Sequence, residues 1–125
     1  MLFVPIVEAF SIRHPEAPIS VSVSPSATVL AFSGSFDMRF STEVEALLAK
    51  VIDLVEIDRP LVLDLSAVGY ISSTGVGALV ATLARSRRRN LPLVLRNMTP
   101  KVSSVFELLG FLQFFSRESA NAEES

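Results

Sequence analysis

The chain has 125 residues, half of them hydrophobic and 19% charged, with a net charge of −2. That is one domain's worth of sequence, apolar enough to bury a core without covalent staples. It has no cysteine and a single histidine, His14, so disulfides, thiolate metal sites and cysteine nucleophiles are excluded and one imidazole cannot build a zinc site unaided.

Residues 1–18 are an N-terminal extension with room for an extra strand, and His14 lies in its polar end, where a solvated role is expected. The apolar start is too short to span a membrane. It also lacks the basic beginning and small-residue cleavage site of a signal peptide, so a cytoplasmic protein without membrane insertion is expected. Residues 19–24 alternate apolar with Ser, as a half-buried strand does, and Pro25-Ser26-Ala27 turns the chain back into a second strand over 28–32. Gly34-Ser35-Phe36-Asp37 ends that hairpin. Over 42–57 the residues Val44, Leu47, Leu48, Val51, Ile52 and Val55 recur at helical spacing, with Thr42 and Glu45 as a capping box. Glu43, Lys50, Asp53 and Glu56 occupy its solvated face.

Arg59-Pro60 stops that helix, and the apolar run 61–65 suits an interior strand. A second helix places Val76, Leu79, Val80 and Leu83 inward and ends in Arg85, Arg87, Arg88 and Arg89, with Asn90 as C-cap. Residues 91–95 form the next strand, with Pro92 near its start, where a missing donor is tolerated. Thr99 as N-cap and Pro100 as first helical residue open a third helix carrying Val102, Val105, Phe106 and Leu109 inward. Gly110 closes it. Residues 111–115 are a last short strand or packing segment, and 116–125 a polar, flexible tail. The order predicts an α/β fold in which a mixed β-sheet with a parallel core packs against α-helices. The arginines suit the negative end of a helix dipole. With a pI near 5.4 and no aromatic stacking motif beside them, no nucleic-acid partner is expected.

The most informative stretch is Asp64-Leu65-Ser66-Ala67-Val68-Gly69-Tyr70-Ile71-Ser72-Ser73-Thr74-Gly75-Val76-Gly77. A buried strand ends at Leu65, with Asp64 beside it as a loop-stabilising acceptor, and three hydroxyl residues sit where the next helix begins. Spacing alone makes these ordinary caps. The same place, a helix start with free amides and two glycines, would also hold a phosphorylated hydroxyl in a favourable field. Gly75-Val76-Gly77 lacks the third glycine of a dinucleotide fingerprint and the lysine of a P-loop, so no nucleotide cofactor is expected. No acid–base pair, metal set or nucleophile–base pair can be assembled, and an enzyme is not expected.

This stretch resembles the signature of STAS domains of anti-sigma factor antagonists: an Asp-Leu-Ser strand end, a hydrophobic loop, then Asp-Ser-Ser-Gly-Leu-Gly opening a helix. Gly34-Ser35-Phe36-Asp37 is similar to the family's Gly-Glu-Leu-Asp, and the stretch from Leu91 through Lys101 to Leu109-Gly110-Phe111 to its closing strand, helix and glycine. The resemblance covers residues 19–115. It implies partner switching: the unphosphorylated protein binds an anti-sigma factor that is also a serine kinase, phosphorylation dissolves the complex, and a serine phosphatase resets it. The nucleotide belongs to the kinase. The phosphoacceptor falls on Ser73, with Ser72 a minor alternative, and the partner surface on Ser35, Asp37, Ser72, Ser73, Thr74, Gly75 and Gly77. A weak homodimer stays open. Where the family carries aspartate before the acceptor serine this chain has Ser72, which keeps two other STAS roles in view: a subunit of a lipid or anion transport system, and an unphosphorylated scaffold.

Overall fold

The computed structural model describes residues 2–36 and 38–118. In chain order they form α1 (Val4–Arg13), β1 (Ile19–Val23), β2 (Thr28–Phe36), α2 (Met38–Leu54), β3 (Leu61–Ile71), α3 (Ser73–Arg88), β4 (Leu93–Arg96), α4 (Pro100–Leu108) and, after a 3-10 turn at Leu112–Phe114, β5 (Ser116–Glu118). The strands make one sheet in the order β1-β2-β3-β4-β5. The β1–β2 hairpin is antiparallel and every later pairing is parallel. Crossovers between parallel strands are right-handed, and here each one steps the same way across the sheet, which puts the connecting helices on one face. Leu30, Phe32, Leu61, Leu63, Leu65, Leu93 and Leu95 point into that face and join the helices in a single core.

Strand β3 runs six residues past the expected end at Leu65. Its register against β2 slips twice, between the pairs Ala31–Asp64 and Ser33–Ala67 and again between Gly34–Val68 and Ser35–Tyr70. Each slip is a β-bulge with one extra residue on β3. The buried positions consequently step from Leu65 to Val68 to Ile71, a spacing of three that hides the strand from a search for alternation. β2 likewise continues through Gly34, Ser35 and Phe36 instead of ending before them. Gly34 has φ +86°, and a Cβ there would lie 2.8 Å from the carbonyl oxygen of Glu16.

The extension forms a helix, α1, where an extra strand was allowed for. Phe3, Val7 and Phe10 are buried along one side of it, at the four-then-three spacing of a helix face. His14 caps it and is far from solvated: its side chain is 16% exposed, its ring meets Phe10 and Phe40 at centroid distances of 4.8 and 4.9 Å, and Nε2 lies 2.8 Å from Glu43 Oε2. That hydrogen bond holds the Glu43 carboxyl below its usual range against the cost of burial, with the charge of Arg13 adding a lesser pull.

Helix α2 starts a turn before Thr42, so Thr42 and Glu45 lie inside it and form no capping box; the apolar period extends back through the buried Phe40. Its C-terminal carbonyls are capped from α3, since Arg89 Nη1 donates to the carbonyls of Ile52 and Val55. Arg85 pairs with Asp53 at 2.8 Å and Arg87 donates to the Phe114 carbonyl at 3.1 Å. Much of the arginine cluster thus ties elements together. Asn90 follows α3 with φ 56°, and Thr99 Oγ1 accepts from the Val102 amide to cap α4. Leu109, expected inward, is 40% exposed, because α4 ends at Leu108. Residues 116–118 pair with β4 instead of fraying; the rest of the expected tail, 119–125, lies outside the described residues.

Candidate functional site

The hydroxyl residues sit at the junction of β3 and α3. Parallel strands bring the end of β2 beside the end of β3, in register at Phe36–Ile71. From there the ladder passes directly into the helix: the Ser72 amide donates to the Phe36 carbonyl at 2.8 Å, and the Val76 amide to the Ser72 carbonyl at 3.0 Å.

Ser72 is the N-cap of α3, in extended conformation. Its Oγ accepts from the Gly75 amide at 3.1 Å, donates to the Phe36 carbonyl at 3.2 Å, and lies 2.7 Å from Thr74 Oγ1. Ser and Asp are both strong N-caps, so serine in the place of the family's aspartate preserves the cap and removes a negative charge. Ser73 is the first helical residue and is exposed, and among the described residues its hydroxyl has no hydrogen bond. The two serines therefore differ: one is built into the junction and the other is presented to solvent beside the positive end of the helix dipole.

The two glycines differ in the same way. Gly75 is buried, and a Cβ there would fall 2.5 Å from the Phe36 carbonyl oxygen and 2.8 Å from Ile71 Cγ1. It lets the helix seat on the strand ends and offers no surface to a partner. Gly77 is exposed and a Cβ there would meet nothing within 4 Å.

Ser35 is half-buried and registers against Tyr70. Asp37 lies outside the described residues. Tyr70, 45% exposed, was missed by sequence reasoning: it is the chain's only tyrosine, and the second bulge is what turns it outward. An aromatic just before the hydroxyl run was the available signal.

Asp64 is further back, in mid-strand. Its Oδ1 accepts from the Ser66 amide at 2.9 Å, at the first bulge, and its Oδ2 pairs with Arg96 Nε at 3.4 Å across to β4. Burial pushes the carboxyl upward, but the amide and hydroxyl of Ser66 together with Arg96 outweigh it and hold the group below its usual range. Asp64 is thus a hydrogen-bond acceptor, and what it clamps is the first bulge in mid-strand.

The hydroxyls of Ser72 and Thr74 bond to each other and to backbone, and none of the described carboxylates nor His14 reaches them. No base among the described residues is in place to turn them into nucleophiles. Among the described residues no three metal-ligating side chains cluster, and no helix is long and apolar enough to cross a membrane.

The family model described as "Mlab, STAS domain" matches residues 19–115. BtrV of Bordetella bronchiseptica, described as an anti-sigma factor antagonist, is 36% identical over 98 residues, 75% of this chain and 83% of that protein. Among solved structures, the anti-sigma factor antagonist SpoIIAA in its unphosphorylated form superposes with a TM-score of 0.67 at 18% identity, covering 85% of this chain and 90% of that one. SpoIIAA of Bacillus in its phosphorylated form gives 0.62 at 18% identity, covering 85% and 94%. A sulfate transporter family protein from Wolinella succinogenes gives 0.65 at 20% identity, covering 82% and 84%. These structures share the fold: a mixed sheet with a parallel core, helices packed against it. Motif, fold and relatives agree, and the chain belongs to the STAS domain family of anti-sigma factor antagonists.

Proposed function

We propose that this protein is a partner-switching antagonist whose binding to an anti-sigma factor with serine kinase activity is controlled by phosphorylation of Ser73 and reset by a serine phosphatase. The observation that carries this reading is the contrast at the start of α3: Ser72 is held by three hydrogen-bond partners, whereas the Ser73 hydroxyl is exposed and uncommitted. Phosphate on Ser73 would sit at the positive end of α3, so the fold tolerates it. A partner would have to bury about two added negative charges, so binding suffers. Ser73, Thr74, Gly77, Ser35 and Tyr70 supply the contact surface, with Tyr70 the aromatic anchor, and Asp37 is proposed to join them.

The test is incubation with the cognate kinase and ATP, followed by mass spectrometry. Phosphate is expected on Ser73, with Ser72 at most minor. Ser73→Asp should weaken partner binding about tenfold or more. Ser72→Asp should keep the cap, restore the family's charge and speed phosphorylation. Phosphate found on Ser72 alone, or on neither serine with a demonstrated cognate kinase, defeats the switch.

A second reading, a STAS subunit of a lipid or anion transport system or an unphosphorylated scaffold, is supported by the likeness to the Wolinella protein and by the missing acidic residue before Ser73. Retention of partner binding by Ser73→Asp, with a transport protein captured from native lysate, would favour it.

A further inference from the structure

Ser73, Gly77, Val80, Ala84 and Arg87 follow one another along α3 at steps of four, three, four and three residues, which places them on one line down the helix. All are exposed except Val80, which is half-buried. At 1.5 Å per residue the line is about 21 Å long. It begins at the serine proposed as the phosphoacceptor and ends in a cup. Val80, Leu83, Ala84 and Arg87 form one wall of the cup and Phe111 and Phe114 the other, around a volume of about 240 Å³.

The walls are held by the fold itself. Arg87 Nη2 donates to the Phe114 carbonyl at 3.1 Å. The Phe114 amide donates to the Phe111 carbonyl at 3.1 Å, and the Phe111 amide to the carbonyl of the core residue Phe106 at 2.9 Å. The Phe111 and Phe114 rings stand 6.2 Å apart by centroid. Phe114 nevertheless stays 47% exposed, so its backbone is fixed while its ring faces outward, as a preformed anchor pocket requires. Arg87 and Arg88 are exposed at the same end of α3. Neither pairs with a carboxylate among the described residues, in contrast to Arg85, which is bonded to Asp53.

We infer that the far end of α3 is a second anchor for the kinase partner, one that phosphorylation does not touch. It receives an amphipathic helix of that partner, with a large apolar side chain in the cup and carboxylates against Arg87 and Arg88. The inference rests on the reading of Ser73 as the switch for the same partner. The cup is smaller than the ~300–1,000 Å³ of a small-molecule site, and suits a single anchoring side chain. A helix laid in a groove offers its anchors every three or four residues, the same step as the line on α3. Gly77 and Ala84, being small, let it lie close. The contact is therefore divided. Phosphate at Ser73 acts on one end, and the cup holds the other, so the phosphorylated chain keeps a residual affinity that depends on Phe114. Sites this far apart act additively.

Titration calorimetry of the full chain with the cognate anti-sigma kinase tests this. Phe114→Ser should weaken binding about tenfold or more, and by the same factor again in a Ser73→Asp background. Ala84→Glu, a good helix former at an exposed position, should block the cup to a similar extent; if Phe114→Ser unfolds, it carries the comparison. Arg88→Glu should weaken binding about fivefold and flatten its dependence on salt. Circular dichroism and Tm should match the parent. Parent-like binding by any folded member of the three overturns the inference and leaves the switch at Ser73 standing. Weakened binding by all three, with Ser73→Asp unchanged, keeps the anchor and removes the switch. A parent chain that binds no kinase removes both. An average mass that doubles with concentration, and reverts in Ala84→Glu, gives the cup to a second copy instead.

Discussion

Gly75 rests against the main-chain carbonyl of Phe36 so closely that a methyl group would have to occupy the same space, 2.5 Å from its oxygen. Backbone in a buried strand end cannot swing aside as a side-chain tip can. Gly75→Ala should cost about 1–3 kcal/mol, the usual range for overpacking, and lift the start of α3 from the sheet. Urea unfolding measures it, and an unchanged midpoint would show that the helix does not sit this close.

Gly77 predicts the opposite sign. Nothing in the fold needs a glycine there, and Gly in an exposed helix interior costs about 1 kcal/mol relative to Ala. Gly77→Ala should therefore raise stability by roughly 0.5–1 kcal/mol while weakening partner binding, because a methyl group would hold the partner off the helix. A variant that is more stable and binds equally well would remove Gly77 from the interface.

The serines should separate in a plain stability measurement. Ser72→Ala removes the cap and the hydroxyl's bond to the Phe36 carbonyl, leaving the amide's, and should cost about 0.5–2 kcal/mol. Ser73→Ala, at an exposed position whose hydroxyl has no hydrogen bond among the described residues, should stay within about 0.5 kcal/mol. Equal effects would contradict their different hydrogen bonding.

Asp64 gives the fold an acid-labile contribution. Its native pKa is lowered, since Ser66 and Arg96 overcome the effect of burial. A group depressed in this way adds stability fully present above the unfolded value, about pH 4, and lost as pH falls through the native value. Asp64→Asn should be less stable than the parent at pH 7, and the gap should close on acidification below about pH 4. A gap that stays constant to pH 3 would show that the clamp contributes nothing through its charge.

Most of the fold was readable in the sequence because its signals are local: the hairpin by alternation, α4 by Thr99 and Pro100, the end of α3 by Asn90. The second half of β3 was not. Two bulges replace its period of two by steps of three, and a strand with that spacing resembles a loop. For the same reason Asp64 was taken for the strand's end and Tyr70 was passed over. Helix α1 was missed because it is apolar on two sides, which flattens the periodicity that marks an amphipathic helix. At the candidate site, the run Ser72-Ser73-Thr74 was visible as a helix start. Which hydroxyl caps and which is free depends on where the helix begins, and that is fixed where the Ser72 amide meets the Phe36 carbonyl, a contact that residues so far apart in sequence do not announce.

The agreement of strand order with chain order bears on how the molecule assembles. Each strand pairs with its immediate predecessor, and among the described residues no strand pairing reaches further along the chain than Phe36 with Ile71. The sheet can therefore grow from the β1–β2 hairpin outward, one strand–helix unit at a time, as the chain leaves the ribosome, without reserving a central slot for a later segment. Loop closure entropy is met in similar, moderate instalments rather than in one long-range step. The last addition, β5, pairs through only three residues. Its amides should be the first in the sheet to exchange with solvent, and those of β3, enclosed on both sides, the last.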